Sequence, residues 1–166
     1  MNPSVDLRIH SMMRALTEVV LPAVDPDNSL AQEQVRLLLG HLHALTLHYR
    51  DEARLDEQSL IALETLAHEL LAQCAGGAGT LAAAKAVQVA LVASDTRELS
   101  RAIESLMIAS GVDGEPAFQA ASAALVMTHA RSETWRGRTW FKAMGFDAAP
   151  DSLPTIDQLL HGNNTP

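Results

Sequence analysis

Three histidines, His41, His43 and His48, fall within the ten residues "HLHALTLHYR". Imidazole nitrogens can ligate a metal, relay a proton or titrate near neutral pH. On a helix of ~1.5 Å rise per residue, His41 and His48 are on the order of 10 Å apart along one flank. Metal bonds of ~2 Å cannot bridge that distance. Chelation within one helix needs a step of three or four residues, and His48 finds only Asp51 there. No His-Glu-x-x-His, Glu-x-x-His or paired Cys-x-x-Cys spacing occurs. No metal and no cofactor is expected, and the histidines read as partly solvated flank residues.

The densest chemical signal is "RSETWRGRTWFK", residues 131–142. Four cations against Glu133 give a local charge of +3, leaving −11 for the rest of the chain. A continuing helix would set Arg131, Trp135, Arg138 and Lys142 on one face, with Trp140, Phe141 and Met144 packed inward. Cations around an indole suit a small anionic ligand with a flat ring, such as a nucleotide, coenzyme A or a phospho-group. The competing reading docks the basic helix on the chain's own carboxylates, with Trp135 covered by arginine stems.

A third candidate is Glu64 with His68, four apart on a predicted helix. An exposed intrahelical pair accounts for the spacing. The stretch "AHELLAQCAGGAGTL", about fifteen residues, also resembles the histidine-phosphotransfer domain, whose exposed histidine precedes Leu-Lys-Gly and a later glycine. The resemblance implies a helical bundle with His68 as the phosphorylated residue. Leu71 stands in the lysine's place and Ala72 in the glycine's, so the cation that would steady the phosphate is missing. "GGAG", residues 76–79, lacks the Gly-Lys-Ser/Thr ending and the preceding strand of a phosphate-binding loop. Cys74, on an apolar helix face, reads as inert. No catalytic constellation is recognisable, and a non-enzymatic role is expected.

Composition sets the frame. The chain has 166 residues, 48% hydrophobic and 4% aromatic, rich in Leu, Ala, Val and Met, which favours helices. A net charge of −8 opposes broad nucleic-acid binding. A single cysteine, no signal-peptide pattern and no membrane-spanning apolar run point to a cytoplasmic protein.

Helical periodicity runs through nearly every segment, and no strand-like alternation lasts. The expected fold is an all-α, single-domain bundle of about six helices with short antiparallel connections, over residues 1–146. A polar, partly flexible tail follows at 147–166, with the amphipathic piece "TIDQLL" suited to docking. Helix 1 is expected from Ser4 to Leu21, ended by Pro22. Helix 2 is capped by Ser29 and runs to about Arg54. Helix 3 is capped by Asp56 and stopped by "GGAG". Helix 4 starts at Thr80, with only Lys85 and Gln88 strongly polar, and is expected to be buried nearly all round. Helix 5 is opened by Asp95 with Glu98 and closed by Gly111. Helix 6 starts at Pro116 and runs to Met144 before Gly145, either continuous or bent or broken near Ser132 or Gly137.

Helix 2 carries two apolar strips. Val35, Leu38, Leu42, Leu45 and Tyr49 form the main one; Leu37, Gly40, Ala44 and Leu47 lie roughly opposite. A helix that is apolar on two sides needs cover on both. The second strip is either buried within the monomer or the seam of a dimer. The leading expectation is an interaction protein acting as a homodimer or as a subunit bound to a protein partner. A small anionic ligand held by the 131–142 stripe is the alternative.

Overall fold

The computed structural model describes residues 2–161 and is all-α. The helices are α1 (Val5–Ala15, continuing through a π turn at Leu16–Val20 to Leu21–Ala23), α2 (Ser29–His48), α3 (Glu52–Gln73), α4 (Ala78–Ala93), α5 (Thr96–Asp113), α6 (Pro116–Trp140) and α7 (Ile156–His161). Two short 3₁₀ turns, Lys142–Met144 and Pro150–Ser152, lie between α6 and α7. The described residues contain no strand beyond one bridging pair, Gly76 with Gly114. They fall into two compact units. The first comprises residues up to Glu52 together with those from Arg136 onward, and the second is Ala53–Trp135.

Several helix ends follow from local chemistry. Ser4 caps α1 by accepting from the Leu7 N–H at 3.2 Å, and Asp95 caps α5 by accepting from the Glu98 N–H at 2.8 Å. Pro116 opens α6, where its missing N–H costs nothing. Gly145 closes the turn after α6 at φ 77°, a left-handed geometry suited to glycine.

Elsewhere the structure corrects the sequence expectations. Pro22 does not end α1. The backbone widens into a π turn at Leu16–Val20, just before a residue with no N–H to donate, and the helix continues to Ala23. The cap of α2 is Asn28 rather than Ser29, its Oδ1 accepting from the Ala31 N–H at 3.1 Å. Gln32 instead donates to the Val24 carbonyl at 3.0 Å. The α2 helix stops at His48 and α3 begins at Glu52, so Asp56 lies inside α3. Gly111 lies within α5, which runs on to Asp113. The α6 helix ends at Trp140, leaving Lys142 in a 3₁₀ turn and Phe141 exposed.

The second unit holds the contiguous hydrophobic core. Leu63, Leu66 and Leu70 of α3, Val87 of α4, Leu99 and Leu106 of α5 and Phe118 of α6 are buried together. Their three- and four-residue steps put each set on one helix face. Burying a large apolar side chain is worth about 1.5–3 kcal/mol, so this cluster is the main source of the unit's stability.

Where α3 meets α4, "CAGGAG" is fastened to the α5–α6 turn. Gly77 donates its N–H to the Asp113 carbonyl at 2.7 Å, and Glu115 donates its own to Ala75 at 3.0 Å. The Asp113 carboxylate accepts from the backbone N–H groups of Gly79 at 2.8 Å and Thr80 at 2.9 Å. It also accepts the Thr80 hydroxyl at 2.5 Å. Gly76 allows the backbones to meet: a Cβ there would lie 2.8 Å from the Gly114 Cα. The carbonyls of Ser110 in α5 and of Gly114 just beyond it accept from Gln119 Nε2 at 2.7 and 3.1 Å.

In the first unit, α1 and α2 are joined at one end by a polar clasp. Asp6 Oδ2 accepts from the Tyr49 hydroxyl at 3.1 Å and from the Arg50 guanidinium at 2.8 Å. Arg50 Nε donates to the same hydroxyl at 2.8 Å. Ile9, Val35, Ala44, Leu153 and Leu160 are its buried apolar side chains, the last two from the segment after residue 147.

Candidate functional site

The basic stripe is divided by the fold. Arg131 and Trp135 belong to the second unit, and Arg138 and Lys142 to the first. Arg131 is exposed and Trp135 half-buried. Arg138 meets Asp147 through two parallel bonds, from Nε at 2.8 Å and from Nη2 at 3.0 Å. Its side chain is 40% exposed and that of Asp147 only 10%. The paired guanidinium, with the Ala149 N–H, holds the Asp147 carboxyl down at about 2. The Lys142 ammonium donates to the Leu153 carbonyl at 3.2 Å. Arg138 and Lys142 thus have partners within the chain. Beside this ion pair, Phe141 and Phe146 line a shallow hollow of about 300 Å³ floored by Gly137.

The strips of α2 are distributed differently from the helical wheel. On the second strip, Ala44 is buried and Gly40 is half-buried beneath Met144, whose Cε would lie 3.6 Å from a Cβ added there. Leu37 is half-buried and Leu47 exposed. On the main strip, Val35 is buried, but Leu38 and Leu45 are exposed. The strip of small residues is therefore covered in its middle by the chain's own 3₁₀ turn.

The histidines separate as well. His41 and His43 are exposed, while His48 is 5% exposed. The His48 ring lies on Trp140, with centroids 4.6 Å apart and planes inclined by 38°. Burial lowers the imidazole pKa, and His43 adds to the effect while Asp51 opposes it. Among the described residues, no group of three or more His, Cys, Asp or Glu side chains is placed to hold a metal ion.

Glu64 does not pair with His68 in a simple exposed turn. Its Oε1 accepts from the Ser94 hydroxyl at 3.1 Å, which ties α3 to the end of α4. Ser94 takes left-handed backbone angles, φ 49° and ψ 40°. His68 is exposed, and Cys74 packs against the core with its thiol pKa raised by burial. The N-terminus of α4, just after the glycines, is occupied by the Asp113 carboxylate.

The feature least anticipated is the outer face of α4. Thr80, Ala84, Val87 and Ala90 face the core. The opposite side leaves Val89 at 74% and Val92 at 88% exposure. On α5, Ile108 and Val112 are 66% and 85% exposed. The two helices pack along their length as antiparallel neighbours. The expectation that helix 4 is enclosed nearly all round is thus corrected: one side is covered and one is open. The signal was legible, since an α4 with only Lys85 and Gln88 strongly polar needs cover on more than one side.

No protein-family model, no curated protein and no solved structure matches this chain. Among the described residues, no helix is long and apolar enough to cross a membrane.

Proposed function

We propose that the chain acts by association, as a homodimer or as a subunit of a helical assembly, using the outer face of α4 and the adjoining part of α5. The observation that carries this reading is the exposure of Val89, Val92, Ile108 and Val112 on neighbouring helices. Apolar side chains scattered singly over a surface are ordinary, but Leu81, Val89 and Val92 follow one outer side of α4 as a set, while Ile108 and Val112 lie on α5 beside the start of α4. Lys85 is the one charged side chain on α4, whereas the neighbouring α5 carries exposed Arg97, Glu98, Arg101 and Glu104. The exposed Leu38, Leu45 and Leu47 of α2 offer a further apolar surface in the first unit.

Light scattering on the eluting protein tests this. The unmodified chain is expected at twice its 17.8 kDa mass. The double substitution Val89→Asp with Val92→Asp is expected at the monomer mass with an unchanged helical spectrum. A wild-type monomer at every concentration, or a variant that remains dimeric, would sink the homodimer on this face.

The alternative, a small anionic ligand on the 131–142 stripe, is supported by the exposed Arg131 and half-buried Trp135. It is weakened by the partners that Arg138 and Lys142 already have. Tryptophan fluorescence titrated with nucleotides or coenzyme A separates the two readings, since the association reading expects no response.

A further inference from the structure

Histidine is the side chain whose ordinary titration lies closest to physiological pH, and in this chain one of them is enclosed. His48 is the last residue of α2 and Trp140 the last of α6. Their rings meet at 4.6 Å, in a unit whose buried large side chains are few. We propose that this pair is a pH-operated latch: the neutral imidazole lies on the indole and holds the end of α2 against the end of α6, and protonation in mildly acidic solution releases it.

The surroundings favour release over retention. An imidazolium carries a full charge, which is costly to hold in a largely enclosed position. Asp51, three residues on, is the nearest carboxylate on its own segment and favours the charged ring, but less than burial disfavours it. His43, exposed on the same helix, adds repulsion once charged. The elements packed against α2 supply little compensation. On α1, the Asp6 carboxylate is already held by Tyr49 and Arg50, and Arg8 and His10 are exposed cations or potential cations. On the 3₁₀ turn, the charged group is another cation, Lys142, bonded to the Leu153 carbonyl. Two effects oppose release: the Asp51 charge and attraction of a cation to the indole face. Both raise the imidazole's titration midpoint, whereas burial, the largest effect, lowers it from 6.5.

The test uses the full chain carrying Trp135→Phe, so that Trp140 is the sole indole. Its emission and acrylamide quenching are followed as the solution is acidified, and the histidine ring protons are followed by NMR in the unsubstituted chain. The expected result is a red shift and greater quenching with a midpoint below 6.5, accompanied by the His48 ring resonance and lost in His48→Phe. His48→Gln serves the same purpose if the phenylalanine variant fails to fold by circular dichroism. A flat emission profile, a midpoint at or above 6.5, or a transition that survives removal of His48 would overturn the latch.

Discussion

Asp113 closes the N-terminus of α4 through Thr80, accepting both its backbone N–H and its hydroxyl across 33 residues of sequence. A carboxylate at this end satisfies N–H groups that have no partner within the helix and meets the positive end of its dipole. The same residue's carbonyl receives the Gly77 N–H. One side chain and its own backbone thus join the α3–α4 turn to the end of α5.

Substitutions at this joint are expected to destabilise for separable reasons. Thr80→Val removes a fully enclosed hydroxyl and leaves a carboxylate oxygen short of a donor, costing on the order of 1–2 kcal/mol. Gly76→Ala forces a methyl against the Gly114 backbone and should cost about 1–3 kcal/mol. Urea denaturation monitored by circular dichroism reads both. A Gly76→Ala protein as stable as the parent would show that the two turns can move apart without loss.

Ser94 offers a substitution in the other direction. Its left-handed conformation costs a residue with a Cβ roughly 1 kcal/mol or more relative to glycine. Ser94→Gly gives up the exposed bond to Glu64, a smaller loss. A net gain of a few tenths to about 1 kcal/mol is expected, read as a raised thermal midpoint. A lowered midpoint would mean that the Ser94–Glu64 tie outweighs the backbone strain.

Acid should weaken the first unit through Asp147. Its carboxyl titrates at about 2 rather than 3.8. A group whose pKa is depressed by folding contributes stability that is fully present above its unfolded value and is lost as pH falls toward the folded one. Denaturant midpoints should therefore decline between those two values, and Asp147→Asn should flatten that part of the profile. Arg138→Ala should flatten it too, which separates a structural arginine from one reserved for a ligand.

Val92→Lys is expected to change the denaturant midpoint by less than about 0.5 kcal/mol in dilute solution, because 88% of the residue already faces solvent. Its effect should grow with protein concentration if a second copy covers α4. A concentration-independent loss of several times that size would place Val92 inside the folded chain instead.

The sequence was most legible where the deciding interaction is short in range. Asp95 bonds three residues on, Pro116 sits at a helix start, and Gly145 turns left-handed. Leu63, Leu66 and Leu70 fall at helical steps and share one buried face. What escaped depends on partners distant along the chain. Nothing around Asp6 indicates that Tyr49 and Arg50 will meet it, and Arg138 reads as a ligand cation until Asp147 folds back upon it. A helical wheel places apolar residues on two sides of α2, yet it cannot say which of them are covered, and Leu38, Leu45 and Leu47 are exposed. Met144, on a turn expected to be helix, decides it for Gly40. The open side of α4 escaped for the opposite reason, since hydrophobicity states a need for cover without stating which molecule supplies it.

The widened turn at Leu16–Val20 has a consequence for chain length. A π turn accommodates one residue more than the surrounding helix would use, so it marks a place where an extra amino acid has been absorbed. Removing one residue there would return the segment to regular winding and leave the facing of the helix beyond it largely unchanged. Pro22 would then meet an unwidened helix, with its ring against the carbonyl four positions earlier. Shortening by one residue should therefore be tolerated only if that proline is exchanged in the same step, so that the two positions behave as a single unit of change.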